Sequence, residues 1–523
     1  MAKAAAGDSH YIKTGQKTTR SGERGDTEAG RLAAYIIDQI PEGYNVYEDH
    51  DINEDHLAKA IVETCGRYIR CCPQIGWMVY FNDEGRWTEE YAEPAVQEVI
   101  RHFGNRLLEG AKKTRPEEGT FARHILSAGG ISAIKRILRF DTAITIEQDR
   151  FDAAGDWVNC RGDLYNLRTG DMRPSQPEDL LTQSTMCKAV PLKKASEKNL
   201  AIGKAWEAPE TPRQFSNFLK KITSNDGADR EDLALYLMSY FGYCLTGDSG
   251  ASFFVNFHGE GNNGKSQLLM LMLKLFGSYG MALPKDIVIE NKFASQFNLA
   301  GLPGKRLAVL IDAPDGRLNM DVLKSIVSGE EISAQRKFMS DINFSPVCKI
   351  AVGSNHKLKL SDTGMGVQRR VRMVPFDYKV PENEIIANFS KKLLKDEGPL
   401  ILAWLIYFAH EYYRNGEGPK AFPPCAVVDD ASKEYMKSQD LVGRWKEERT
   451  EAAEGSAASA DDLYADFKKW AGEENIHKVM AKNTFGEHLA AHVKEKKRIN
   501  SKWHYIGIKL KGETGSLPDG RGG

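Results

Sequence analysis

An apolar run, Phe253-Phe254-Val255-Asn256-Phe257-His258, feeds straight into Gly259-Glu260-Gly261-Asn262-Asn263-Gly264-Lys265-Ser266. A leucine- and methionine-rich stretch, Gln267 to Leu275, follows at once. Gly259, Gly264, Lys265 and Ser266 satisfy the spacing G-x-x-x-x-G-K-[ST], and the flanks read as a buried strand and a buried helix. That strand–loop–helix order commits this part of the chain to an α/β arrangement built around a phosphate-binding loop. Glycines let backbone N–H groups converge on phosphate oxygens at a helix N-terminus, where the dipole favours anions. Lys265 is expected to reach the β- and γ-phosphates, and the Ser266 hydroxyl to hold Mg²⁺. The loop, expected to be exposed, predicts a nucleoside triphosphate site for ATP along Gly259, Glu260, Gly261, Asn262, Asn263, Gly264, Lys265, Ser266 and Gln267.

At roughly 150 residues per domain, 523 residues suggest three or four units. Lys+Arg 71 against Asp+Glu 72 gives a net charge of −1, so a basic surface for nucleic acid has to be local. No apolar run reaches the ~18–20 residues of a membrane span, and the N-terminus shows no signal-peptide core, so no membrane partner is expected. The eight cysteines contain no C-x₂-C pair. Neither structural zinc nor a disulfide framework is expected, and a reducing cytoplasm is the default.

Along the chain, residues 1–28 read as a flexible tail and 29–195 as an N-terminal α+β domain. Its aromatic hairpins, 76–87 and 157–170, are expected to serve core packing. Residues 196–250 read as a helical region, 251–380 as the nucleotide-binding core and 381–450 as a helical extension. The stretch Ala452-Ala453-Glu454-Gly455-Ser456-Ala457-Ala458-Ser459 reads as a linker over 451–459. It leads to a small module at 460–511 and a glycine-rich tail at 512–523.

The second half of an ATPase site belongs at the ends of other apolar strands. Lys305-Arg306-Leu307-Ala308-Val309-Leu310-Ile311-Asp312 ends in a carboxylate suited to Mg²⁺. The next residue is Ala313, so Asp315 is the nearest candidate for polarising the attacking water. Val347 to Asn355 is a third such strand, and the Asn355 amide can bond the γ-phosphate or that water. Arg369 and Arg370, behind Gly364 and Gly366, can reach a γ-phosphate across a subunit boundary, and the two arginines are equivalent at this level.

This order of motifs resembles superfamily 3 helicases, the AAA+-like hexameric motors of small viruses, phages and plasmids. It is most similar to the phage/plasmid primase–helicase family, related to the poxvirus primase–helicase. The match is carried by Tyr240-Phe241-Gly242-Tyr243-Cys244-Leu245-Thr246-Gly247-Asp248 and the loop, with Ser328 to Phe338, Gly353-Ser354-Asn355-His356-Lys357 and Arg369 to Phe376. It covers roughly residues 55–510 and is strongest over 230–380. The resemblance implies a multidomain α/β fold: a P-loop, AAA+-like core preceded by a mixed α+β and helical region and followed by a winged-helix module. It also implies a β-hairpin over 332–347 whose tip, Arg336 and Lys337, touches single-stranded DNA in a central channel, with His356 and Lys357 contributing. The family's primase domain is not expected, because only about 50 residues precede the match.

The last module is locally basic. Residues 460–511 hold 11 Lys/Arg and 7 acids, a net charge of +4. Lys496, Lys497, Arg498 and Lys502 lie on a basic β-wing expected to bind DNA through its phosphates. The reading is therefore a homohexameric, DNA-dependent ATPase that engages single-stranded and forked DNA and unwinds duplex for replication of a phage, plasmid or integrated mobile element. It would act in the cytoplasm of a bacterial host, with a separate primase as partner. The alternatives are an ATP-dependent origin-binding or loading factor without processive unwinding, and a small-molecule P-loop kinase.

Overall fold

Residues 27–42, 44, 53–113, 118–201, 203–225, 228–290, 296–335, 341–360, 364–474, 476, 479–493, 495–499 and 501–512 are described by the computed structural model of the chain. Two units result: Met1–Ala153 with Arg161–Asp163 and Pro174–Ser184, and Ala154–Cys160 with Leu164–Arg173 and Thr185–Gly523. The boundary expected at 195 therefore lies earlier. The 157–170 hairpin, apart from its turn Arg161–Asp163, joins the second unit, because Val158, Cys160, Tyr165 and Leu167 are buried in that unit's core.

In the first unit, α1 (Glu28–Asp38) begins inside the expected tail because Thr27 caps it, its hydroxyl accepting from Gly30 N at 3.1 Å. The rest of the expected tail, 1–26, lies outside the described residues. Asn53 caps α2 (Glu54–Cys65) in the same way. Strands β1 (Ile69–Cys72), β2 (Gly76–Phe81) and β3 (Arg86–Thr88) form an antiparallel sheet with β2 in the middle. Helices α3 (Ala92–Lys113), α4 (Gly119–Ile125) and α5 (Ala128–Leu138) share a core with that sheet. Trp77, Tyr80 and Trp87 are buried in this core, and Trp87 Nε1 donates to Pro177 O at 2.8 Å.

The second unit opens with a three-stranded sheet, β4 (Trp157–Cys160), β5 (Asp163–Asn166) and β6 (Met172–Pro174), followed by α6 (Glu197–Leu200), α7 (Arg213–Thr223) and α8 (Glu231–Leu245). The next elements are β7 (Phe254–His258), α9 (Lys265–Leu275), β8 (Gly280–Ala282), α10 (Lys285–Val288), β9 (Leu307–Ala313) and α11 (Met320–Val327). A two-stranded antiparallel ribbon, β10 (Ile332–Ala334) with β11 (Ile342–Phe344), precedes β12 (Lys349–Ser354), α12 (Met365–Gln368) and β13 (Val371–Pro375). The expected DNA-contacting tip of that ribbon, Arg336 and Lys337, lies outside the described residues.

The five long-range strands assemble as a parallel sheet in the order β13-β7-β12-β9-β8. Alternation puts Val255, Phe257, Leu307, Val309 and Ala351 into one core, and Phe254, Ala308, Leu310, Ile350 and Val352 into the core on the other face. A sheet buried on both faces explains why these strands read as continuous apolar runs. Two buried basic side chains close its base against the end of α8. Lys349 Nζ donates to Thr246 O at 2.6 Å, and the Arg306 guanidinium bonds Leu245 O and, at 2.6 Å, Trp157 O. N–H donors suit a helix C-terminus, where carbonyls lack intrahelical partners.

Helix α13 (Phe389–Arg414) packs on α8, and α14 (Ala426–Gln439) on β13. Then follow α15 (Leu441–Arg449), β14 (Thr450–Ser459), α16 (Ala460–Glu473), α17 (Lys482–His492), β15 (Lys496–Ile499) and β16 (Lys502–Leu510). The 451–459 segment is not a linker. It is β14, paired antiparallel with β16 from Thr450↔Leu510 to Ser459↔His504. Small residues gave it a linker's composition, but the pairing is made by backbone, and Gly455 at φ +77° sits where the register jumps between Ala452 and Ala457. The core of this part starts ahead of 460 as well: Val442 and Trp445 are buried with Leu463, Phe467, Phe485 and Tyr505. No described helix is long and apolar enough to cross a membrane.

Candidate functional site

The glycine-rich loop runs from the end of β7 to the start of α9, and its glycines are demanded by close packing. A Cβ on Gly259 would lie 2.1 Å from Asn263 Nδ2 and 2.5 Å from Phe376 O. Gly264 sits at φ +79°, and a Cβ there would meet Ile222 Cγ2 at 2.4 Å. The loop is held by its neighbours: Asn263 Nδ2 donates to Phe376 O at 3.2 Å, and Val380 N donates to Asn262 O at 2.7 Å.

Lys265 is buried, contrary to the exposed loop expected. Its Nζ donates to Asn355 Oδ1 at 2.7 Å and to Gly259 O at 3.4 Å. Burial pushes this ammonium's pKa below the usual lysine value, and the charge of Asp312 pushes it back up. Sheet order explains the meeting. β12 pairs with both β7 and β9, so Asn355, just past β12, stands between the loop and Asp312. Gly261 through Gln267, Asp312 and Asn355 all line one cavity of about 870 Å³. This lies beyond the carboxyl ends of parallel strands, where open α/β sheets bind ligands.

Other expected site residues fall elsewhere. Asp315 is not among the cavity's lining residues; its exposed carboxylate is 3.9 Å from Lys359 Nζ. Glu260 is exposed and pairs with Lys379 at 3.2 Å. Gln267 lines the cavity but its Oε1 accepts from Ser390 N at 3.1 Å. Neither Arg369 nor Arg370 lines this cavity. The two arginines differ from each other. The Arg370 guanidinium donates to Ser328 Oγ at 3.0 and 3.3 Å and to Gly366 O at 2.9 Å. Arg369 is exposed and borders a separate groove of about 580 Å³ with Arg372, Lys433 and Lys437. His356 is exposed, and Lys357 is 3.3 Å from Glu434. On β15 and β16, Lys496, Lys497, Arg498 and Lys502 are all exposed, with Lys497 paired to Glu495 at 2.7 Å.

The far wall of the cavity was not legible in the sequence. It is made by Asn217, Phe218, Lys221 and Ile222 of α7 and by Asn383, Glu384, Ile385, Ile386 and Phe389. Phe218 and Phe389 meet edge-to-face at 5.0 Å between centroids, and Lys221 forms an ion pair with Glu384. Ile385 and Ile386 are 56 % and 51 % exposed, two large apolar side chains on the cavity rim. Adjacent isoleucines ahead of a helix were the only sequence trace of it. His258 was also missed. It is half-buried before the loop, its Nδ1 is buried without a partner, and burial with the charges of Lys357 and Lys265 lowers its pKa.

The site belongs to a multidomain, mixed α/β protein whose parallel sheet fits a helicase-like core. The family model described as "D5 N terminal like" matches residues 58–224, and that described as "Poxvirus D5 protein-like" matches 437–514. A model described only as a family of unknown function matches 257–370. These matches and the relatives below support a D5-like primase–helicase family member.

Among its relatives, the protein named "Putative helicase L207/L206" of Acanthamoeba polyphaga mimivirus is 24% identical over 332 residues, 59% of this chain and 32% of its own. "Putative helicase 184R" of Invertebrate iridescent virus 6 is 23% identical over 364 residues, 63% of this chain and 36% of its own. The chain thus spans about a third of the length of these curated relatives. The apo structure of the NrS-1 C-terminal region aligns over 88% of this chain and 100% of that one, at 12% identity and a TM-score of 0.47.

Proposed function

We propose that this protein is an ATP-dependent DNA helicase of the superfamily 3 type, with a P-loop, AAA+-like core and a C-terminal winged-helix module. One observation carries the reading: Lys265, Ser266, Asp312 and Asn355, from three segments of the chain, converge in a single cavity. Backbone N–H groups of the loop and the Lys265 ammonium suit a triphosphate. The Ser266 hydroxyl and Asp312 carboxylate are hard oxygen donors in the same space, which fits Mg²⁺. Bound there, the metal would neutralise charge on the β- and γ-phosphates. Asn355 would orient the attacking water while releasing Lys265 to the phosphates. The apolar rim of Ile385 and Ile386 with Phe218 and Phe389 would take the base.

The arginines support assembly. Because they stand away from the chain's own cavity, their use in hydrolysis requires a second copy, as in a homohexameric ring. The basic β15–β16 hairpin supports DNA binding through phosphates, and by the family resemblance Arg336 and Lys337 would contact a single strand. The biological setting we infer is replication of a phage, plasmid or integrated mobile element in a bacterial host's cytoplasm, with a separate primase as partner.

The test is strand displacement on a forked duplex with ATP and Mg²⁺. Displacement by the wild type, and none by Lys265→Ala, is expected. ATP hydrolysis stimulated by DNA but without any displacement would replace the motor by an ATP-driven loader.

A further inference from the structure

Of the chain's eight tryptophans, only Trp503 is exposed, with 52 % of its surface in solvent. It stands at the second position of β16, close to the hairpin tip where Ile499 pairs with Lys502. The register places Arg498 opposite Trp503 and Lys496 opposite Tyr505, so these four side chains share one face of the hairpin. The Tyr505 end of that face is anchored in the core, its hydroxyl donating to Gly486 O at 3.0 Å. The Trp503 end runs past the core. There Lys496 Nζ lies 4.9 Å from the indole centroid, and the exposed Arg498 stands opposite the indole, while Lys497 and Lys502 are exposed on the other face of the hairpin.

A phosphate-binding hairpin needs lysines and arginines but has no use for an indole. An apolar protein partner would favour the indole, but the two cations on its face, Lys496 and Arg498, would be desolvated at a cost. One class of ligand satisfies both: a flat aromatic face flanked by phosphates, which is an unstacked nucleobase in its strand.

We propose that Trp503 is a base-stacking residue. The hairpin tip engages an unpaired base at a junction of single and double strand, while Lys496 and Arg498, on the same face, hold the neighbouring phosphates. This rests on the reading of the C-terminal module as DNA-binding. It adds a preference for junctions, which phosphate binding alone does not supply.

The experiment compares full-length wild type, Trp503→Ala and Trp503→Phe by fluorescence anisotropy on a blunt duplex and on the same duplex with a single-stranded fork, across a salt series. Trp503→Ala is expected to weaken fork binding by about tenfold, within the range of one base stack removed. It leaves blunt-duplex affinity and both salt slopes unchanged, and Trp503→Phe retains most of the fork affinity. Equal weakening on both DNAs, a changed salt slope, or no weakening at all would overturn the stacking role while leaving phosphate binding intact. Loss of sedimentation with phosphatidylserine vesicles, with DNA binding unaltered, would overturn it in favour of a membrane surface. A wild type that binds neither DNA would remove the DNA-binding reading and the stacking role together.

Discussion

The Lys265 ammonium donates to Asn355 Oδ1 at 2.7 Å, joining the first turn of α9 to the end of β12. Phosphate entering the cavity has to draw Lys265 from this amide or share it, so the bond couples nucleotide arrival to the residue proposed to orient water. Lys265→Ala is expected to abolish turnover. It also leaves the Asn355 amide short of a donor, costing about 1 kcal/mol of stability. Asn355→Ala frees the ammonium, so nucleotide affinity is held while kcat falls at least tenfold, a transition-state loss on the order of 1 kcal/mol. Steady-state kinetics beside equilibrium binding of a fluorescent nucleotide separates the two. A normal kcat in Asn355→Ala would remove it from the reaction.

Arg369 and Arg370 are adjacent but held differently, and the difference predicts different phenotypes. Arg370→Ala removes hydrogen bonds to Ser328 and Gly366 and is expected to lower thermal stability. Arg369→Ala touches an exposed side chain, so it should leave the melting temperature unchanged while hydrolysis falls. Mixed with Lys265→Ala chains, Arg369→Ala chains should regain some hydrolysis, since one class of interface pairs an intact loop with an intact arginine. If verified mixed assemblies never exceed either parent, action across the subunit boundary is wrong.

Lys349 makes a prediction in pH. Burial drives its pKa from the ordinary 10.5 down to about 7. Between those values the unfolded chain holds a proton that the folded chain does not, so stability rises with pH across that window and is lost as pH falls toward 7. Chemical denaturation from pH 7 to 10 should show this rise in the wild type, on the order of 1 kcal/mol per pH unit. Lys349→Met, which keeps the volume and drops the charge, should lack it. Parallel curves for the two chains would mean that Lys349 keeps its proton, stabilised by Thr246 and Val347 carbonyls.

The C-terminal module should be cut before α15. A chain ending near Ser456 would strand Trp445 and half of β14 without partners. A chain ending at Asp440 severs the partly solvated Lys437–Glu447 and Asp440–His492 pairs, which are worth little. This shorter chain is expected to hydrolyse ATP without DNA at the wild-type rate. Its duplex binding should be weaker, with a salt slope shallower by about 0.9 for each DNA phosphate the protein no longer neutralises. Unchanged duplex binding would take the module out of DNA recognition.

Local pattern made much of this protein legible. The spacing of Gly259, Gly264, Lys265 and Ser266 and the apolar runs ending at Asp312 and Asn355 are properties of contiguous residues, and each is set by backbone geometry or burial within a few positions. The same reasoning misread 451–459, because small residues look like a linker until a strand partner fifty residues away takes up their hydrogen bonds. It could not separate Arg369 from Arg370, whose difference lies in the hydrogen bonds that hold Arg370 to Ser328 and Gly366.

By itself, then, the sequence determined the kind of site: a loop whose glycines tolerate close approach, a lysine at a helix N-terminus, and polar residues closing buried strands. Only the tertiary structure decided which of those residues meet. The order β7-β12-β9 sets Asn355 between Lys265 and Asp312 although it comes last in the chain, and it leaves Asp315 paired with Lys359 outside. The packing of α7 and residues 383–389 against the loop closes the far wall. Strand order and wall residues depend on interactions between segments far apart in the chain, and such interactions leave no period or spacing to read.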